Sequence, residues 1–202
     1  MFGDIYSNQH RYPMASIGEI AFVTKLAGFE YTQYINYKDH GDKIMVRGLN
    51  CKKGKLVLDD VLYENNDVLN KLQRSKLSKG DIVMTYVGTI AETALIDEDN
   101  KYHLAPNVAK ISLLNKYKTN PVFIIQMLVL FKEYIVSFSN VTSQPKISME
   151  QIRKIPLMVP PIEKQNDFAL FVEQVDKLKF NVQQRIEKYK ELLNKKMSEY
   201  FN

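Results

Sequence analysis

Two clusters of basic side chains are the part of this sequence best equipped for chemistry. Arg47, Lys52, Lys53 and Lys55 lie close together, and Arg74, Lys76 and Lys79 form a second group. Ammonium and guanidinium groups at loop tips neutralise phosphates, which gives affinity but no sequence information. Reading a base edge needs a fork-like or amide side chain nearby, and Arg47, Asn50, Gln33 and Gln73 are of that type. The polar stretch Thr142-Ser143-Gln144-Pro145-Lys146 adds Gln144 and Lys146 as candidate nucleic-acid contacts. The competing reading of all three stretches is solvated turns and an ordinary helix connection.

Catalytic chemistry has no carrier residues. His10, His40, His103 and the lone Cys51 lack metal-ligand spacing, so no zinc and no other cofactor is expected. Neither a G-x-x-x-x-G-K-[ST] loop nor a G-x-S-x-G elbow occurs. Gly80 and Gly88 bracket a strand, whereas phosphate-binding glycines lie between a strand and a helix. Asp59-Asp60 could serve a metal-dependent nuclease, but adjacent carboxylates in a loop are usually a solvated turn.

The chain has 202 residues, 45% hydrophobic and 25% charged, enough for one domain and an appendage. Its net charge is +5 with an isoelectric point near 9.0, which suits a nucleic-acid partner and equally suits simple solubility. Of 28 Lys+Arg and 23 Asp+Glu, residues 161–202 hold 8 and 7, so the surplus sits on residues 1–160. No apolar run approaches the roughly 18 residues of a membrane span. Met1-Phe2-Gly3-Asp4 does not open a signal peptide, and one cysteine excludes an internal disulfide. A cytoplasmic protein without membrane contact is expected.

The elements that must position the basic groups are mostly strands. Residues 17–24 read as an opening strand, and 43–58 as a hairpin of 44–46 with 55–58 about Lys52-Lys53-Gly54. Residues 29–37 are ambiguous and 60–78 are polar and mixed. Residues 82–87 and 90–96 read as strands broken at Gly88, and 108–113 as another. Asn120 before Pro121 is a helix cap, with an apolar helix running to about Ser137. Ser148 with Gln151 forms a capping box, and 155–159 is a last strand before Pro160-Pro161.

From Glu163 to Tyr200 there is neither Gly nor Pro. Val175, Leu178, Val182, Ile186, Tyr189, Leu193, Met197 and Tyr200 recur at steps of three and four, a stripe along one side of a helix. A long helix with one apolar seam needs a partner helix. The pattern repeats every eleven residues, which favours nearly straight or slightly right-handed pairing, and the arm spans roughly 55–60 Å. A helix folded back on its own domain is the alternative. The fold class expected is α+β, with a mixed-sheet domain at 1–160 and a helical arm at 161–202.

The order of motifs resembles one family. Gly80-Asp81-Ile82-Val83 with Gly88-Thr89-Ile90 is similar to the G-D-I-L…G-T-I-G strand pair of type I restriction-modification specificity subunits. Ser143-Gln144-Pro145-Lys146-Ile147-Ser148 resembles their S-x-Q-x-x-[IL] loop. Residues 155–165, from Ile155-Pro156 through Pro160-Pro161 to Glu163-Lys164-Gln165, resemble the I-P-L-P-P-L-E-E-Q entry to their spacer helix. Ile17-Gly18-Glu19-Ile20 matches the opening L-G-E-I, and Arg47-Gly48-Leu49-Asn50 sits where R-x-x-N often follows. The family usually has Gly where this chain has Ala91, and its P-L-P-P is varied at Leu157-Met158-Val159.

The resemblance implies a non-catalytic DNA-recognition subunit. Such subunits carry two target-recognition domains, each reading one half of a split double-stranded DNA site. Paired antiparallel spacer helices set the distance between the halves and dock modification subunits. Methylation and cleavage belong to partner modification and restriction subunits. One recognition domain and one helix make this a half subunit, and Met1-Phe2-Gly3-Asp4 looks like the sequence between the two halves of longer relatives. Homodimerisation, or pairing with another half subunit, through Val175, Leu178, Val182, Ile186, Tyr189, Leu193 and Met197 would complete the pair. Two readings compete: a nuclease or methyltransferase, which would need a motif such as N-P-P-[FY] that is absent, and a decoy that occupies modification subunits without reading DNA.

Overall fold

Residues 82–85 and 108–111 bury side chains on both faces of one sheet, and the layers of the domain follow from that. The computed structural model describes residues 2, 7–26, 28–139 and 145–201. The first half holds β1 (Met14–Ser16), α1 (Ile17–Ile20), β2 (Ala21–Lys25), α2 (Gly28–Tyr34), β3 (Lys43–Val46), β4 (Cys51–Lys52), β5 (Lys55–Leu56), β6 (Tyr63–Glu64) and α3 (Asn66–Leu69). There follow β7 (Ile82–Thr85), β8 (Thr93–Leu95), β9 (Tyr102–Leu104), β10 (Val108–Leu113), α4 (Pro121–Leu130), α5 (Lys132–Ser137), α6 (Met149–Lys154), β11 (Pro156–Met158) and α7 (Ile162–Phe201).

The main sheet runs β2-β10-β7-β8, antiparallel throughout. Side chains alternate across a strand. Val23, Ile82, Met84, Ala109 and Ile111 therefore share one face, packed under Phe123, Ile124 and Leu128 of α4 and under Ile152 of α6. Val83, Ala94 and Val108 share the other face and meet Ile44, Val46, Tyr102 and Leu104 of a small sheet, β6-β3-β9. In that sheet β3 pairs β9 parallel and β6 antiparallel, so the domain is a mixed-sheet one. Met45, between Ile44 and Val46, turns outward onto Leu26, Leu69, Leu72 and Ala105. Each such aliphatic side chain is worth roughly 1.5–3 kcal/mol on burial, against about 0–1 kcal/mol for an exposed ion pair. The two sheet faces, not the surface charges, hold the domain.

Several expected boundaries are corrected. The opening strand starts four residues late, because 17–20 is a helical turn. The Ser16 N–H and Oγ–H both donate to the Glu19 carboxylate, at 2.6 and 2.7 Å, which starts that turn. The hairpin is narrower than 43–58: Cys51–Lys52 pairs Lys55–Leu56, while β3 pairs with β6 and β9. Its two-residue turn puts Lys53 at φ 48° and Gly54 at φ 84°, the left-handed pair such a hairpin demands. The strand expected at 90–96 shortens to Thr93–Leu95, and the helix expected to reach Ser137 breaks at Phe131 into α4 and α5.

Other expectations hold. Residues 108–113 form one strand. The Asn120 side chain caps α4, accepting from the Val122 N–H at 2.9 Å. Ser148 and Gln151 bond reciprocally at 2.8 and 3.1 Å. The long C-terminal helix is present as the 40-residue α7. β1 pairs β11 antiparallel, Met14 against Met158, so the chain just before α7 is tied to the start of the domain.

Candidate nucleic-acid interface

One end of the main sheet carries a basic ledge. After β7 the chain turns through 87–92, held by Thr85, whose backbone C=O accepts from the Ala91 N–H at 2.9 Å and whose Oγ accepts from the Glu92 N–H at 3.0 Å. Ala91 sits there at φ 61°, a left-handed conformation strained for a residue with a Cβ. Residues 145–147 lie along this end: the Gly88 N–H donates to the Pro145 C=O and the Ile147 N–H to the Tyr86 C=O, both at 2.9 Å. That pairing leaves Lys146 exposed. Lys25, at the end of β2, places its ammonium 5.1 Å from the centre of the Tyr86 ring.

Two clefts share Val87. One, of about 410 Å³, is lined by Lys25, Tyr86, Lys146, Ser148 and Gln151. The other, of about 370 Å³, is lined by Gly48, Leu49, Lys52, Thr85 and Thr89. Glu92 also borders it. Burial alone would raise the Glu92 carboxyl, but the Lys132 ammonium and the Lys53 N–H outweigh burial and hold it below the usual range. With Glu92 engaged by Lys132, the lysines Lys25, Lys52 and Lys146 give the ledge its sign.

The fold separates the candidates found in the sequence. Lys52, Lys53 and Lys146 are exposed and lie on or beside the ledge. Arg47 is partly buried and donates to the Asp60 carboxylate at 2.6 Å and to the Asp60 C=O at 3.0 Å. Asn50 is corrected from a surface reader to an interior brace: it is fully buried, accepts from the Arg47 N–H, and donates to the Val57 and Asp60 carbonyls at 2.9 Å each. Lys55 pairs with Asp176 of α7 at 2.8 Å, so it ties the hairpin to the arm. Arg74 pairs with Glu30 at 2.9 Å, and Lys76 lines a separate cleft with Lys43 and Gln73. That cleft shares no residue with the ledge. Gln144 lies outside the described residues.

Lys25 and Tyr86 were not singled out by spacing, because 61 positions separate them and only the β2-β10-β7 order brings them together. The base of the arm holds another missed residue. Gln165, 0% exposed, accepts from the Asn120 N–H at 2.9 Å and donates to the Lys118 and Pro160 carbonyls at 3.0 and 2.7 Å. Its signal was the Gln of the 155–165 motif, whose position is legible and whose role is not. Phe168, one turn on, packs edge-on against Phe123 and Phe2. From Phe180 to Phe201 every residue of α7 is exposed. The stripe is therefore uncovered, with Leu178 63% and Leu193 60% exposed.

Among the described residues no three His, Cys, Asp or Glu side chains gather to hold a metal ion, and no helix is long and apolar enough to cross a membrane. Asp60 of the acidic pair is spent on Arg47. The chain is thus a layered sheet domain with a basic ledge and a long helix that leaves it. Residues 12–190 match the type I restriction modification DNA specificity domain, and the chain belongs to that family. It is 25% identical over 134 residues to the type I restriction enzyme EcoBI specificity subunit of Escherichia coli, across 65% of this chain and 28% of that protein. The fold is similar to the type I restriction-modification S subunit from M. genitalium, with a TM-score of 0.59 at 13% identity, covering 87% of this chain and 40% of that one. It is also similar to the HsdS subunit from Thermoanaerobacter tengcongensis, with a TM-score of 0.56 at 9% identity, covering 83% and 37%. The chain thus spans well under half the length of these relatives.

Proposed function

We propose that this chain carries one target-recognition unit of a specificity subunit, which recognises one half of a bipartite double-stranded DNA site and directs methylation and cleavage by partner modification and restriction subunits. Family membership over residues 12–190 carries the reading. The chain itself is non-catalytic. Residues 1–160 read DNA, and residues 161–202 form the spacer, pairing antiparallel with a second helix in a coiled-coil-like dimer. Work of this kind places it in the cytoplasm with the DNA.

The ledge of Lys25, Lys52, Lys53 and Lys146 supports the placement of the DNA contacts. Its lysines are exposed and converge, as neutralising phosphates requires. Arg47 and Asn50 stand behind it as the brace of the 47–60 loop, and Gln144 adjoins it in sequence. Arg74 and Lys76 flank a separate cleft and are secondary contacts at most.

Co-expression with a modification subunit, followed by methylome sequencing, tests the function. A methylated motif of two half-sites with a fixed gap is expected, palindromic if the subunit is a homodimer. Absence of any motif dependent on this chain would sink the proposal, and a non-palindromic motif would sink the homodimer.

A further inference from the structure

The two clefts of the ledge differ in what they can offer a base pair. In the cleft with Lys25 and Tyr86 the polar side chains are engaged with the chain itself. Gln151 accepts from the Ser148 N–H at 2.8 Å and donates to the Phe138 C=O at 2.9 Å, while Ser148 Oγ accepts from the Gln151 N–H at 3.1 Å. The other cleft has Leu49, Thr85, Val87 and Thr89 along its walls. There Thr85 Oγ donates to the Thr89 C=O and accepts from the Glu92 N–H, and Glu92 pairs with Lys132. What this second cleft presents is mainly carbon, beside Lys52.

Leu49 is 52% exposed, and of the exposed large apolar side chains among the described residues it alone lines a ledge cleft. A single surface leucine is ordinary, but this one is fixed. It is the middle residue of the 3₁₀ turn Gly48–Asn50. The Asn50 N–H donates to the Arg47 C=O at 3.0 Å, the Cys51 N–H to the Gly48 C=O, and the Val57 N–H to the Asn50 C=O at 2.9 Å. The turn lies so close to β7 that a Cβ on Gly48 would stand 3.4 Å from Thr85 Cγ2. These backbone bonds hold Leu49 in place before a ligand arrives, so binding need not order its loop.

We propose that Leu49 is a specificity-determining residue that contacts the C5 methyl group of a thymine in the major groove. This rests on the ledge being the DNA-binding face, and names what one of its clefts reads. Of the four bases only thymine carries an apolar group on its major-groove edge, and an apolar side chain is what recognises it. Lys52 lines the same cleft, and Lys146 pairs with Val87, which the two clefts share. Lysines on the phosphates fix the duplex on the ledge, and the apolar wall then faces a base edge. Leu49 walls a cleft with about half of its surface covered, so it meets that edge and does not wedge between stacked bases.

Selection of duplexes from a randomised library tests the contact. The full chain is used, assembled with its co-expressed modification subunit, on one library made with thymidine and another made with deoxyuridine, which lacks only the C5 methyl. The wild type is expected to enrich a motif containing a thymine from the first library. It should bind that motif roughly three- to fivefold more weakly when the thymine is replaced by deoxyuridine, the contribution of one buried methyl group. Leu49→Ala should lose that difference at the one position in the half-site and keep the rest of the motif, and Leu49→Met should retain it. Thermal stability and the salt dependence of binding should not change, because the side chain is exposed and uncharged.

A wild type that binds thymine and deoxyuridine alike at every position overturns the methyl contact and spares the ledge. So does a Leu49→Ala variant that still tells them apart. Weaker binding of Leu49→Ala to both libraries by the same factor signals a wedge and also overturns it. A wild type that enriches no duplex overturns the ledge as the DNA-binding face together with the contact.

Discussion

Asn120 and Gln165 lock the sheet domain to α7. The Asn120 N–H donates to Gln165 Oε1 at 2.9 Å while the Asn120 side chain caps α4 and also donates to Asn166 at 2.9 Å. Gln165 spends its amide nitrogen on the Lys118 and Pro160 carbonyls. The start of α4, the loop before it and the first turn of α7 are thereby one rigid joint. Gln165→Ala leaves one buried donor and two carbonyls without this partner. Stability is expected to fall by about 3 kcal/mol, given ~1–3 kcal/mol per stranded buried group. Urea unfolding measures it, and a loss under 1 kcal/mol would mean the joint is held elsewhere.

The basic ledge predicts a salt signature. Changing Lys25, Lys52 and Lys146 together to Ala is expected to weaken binding to specific and non-specific DNA alike, and to flatten the slope of log K against log salt by roughly 2–3 units. Arg74→Ala, which removes a group already paired with Glu30, should change the slope by less than about 1 unit. The reverse ranking in a filter-binding titration would move the interface to the other cleft.

Asn50 separates bracing from reading. Asn50→Ala removes three interior hydrogen bonds of a fully buried side chain and should destabilise the domain by about 2–3 kcal/mol. The methylated motif should stay the same. A changed motif with unchanged thermal stability would return Asn50 to the DNA surface.

Glu64 makes the domain acid-sensitive. It is almost fully buried; burial would raise its pKa, but the N–H groups of Asn65 and Asn36 and the Lys38 ammonium outweigh burial and hold it below 4.5. A carboxyl whose pKa is depressed on folding adds stability that is full above its unfolded value and is lost as pH falls through the folded one. Stability of the native protein should therefore drop below about pH 4.5, and Glu64→Gln should flatten that drop. Equal pH slopes for both proteins in acid denaturation would dismiss the effect.

Much of this architecture is local and was legible in the residues. Asn120-Pro121, Ser148 with Gln151, the 108–113 strand and the breaker-free run after Pro160-Pro161 all formed the expected elements. Caps and breakers act within a single turn, and a strand's alternation or a helix's seam is written along one segment. The stripe of α7 is of this kind. Strand partnership is not. Residues 44–46 looked fit to pair with 55–58, yet they joined β6 and β9, because pairing depends on which apolar faces must be covered together. The tertiary structure alone turned Asn50 inward, tied Lys55 to the arm, and brought Lys25, Lys52 and Lys146 to one ledge. Burial and convergence are properties of packed layers, and no spacing along the chain encodes them directly.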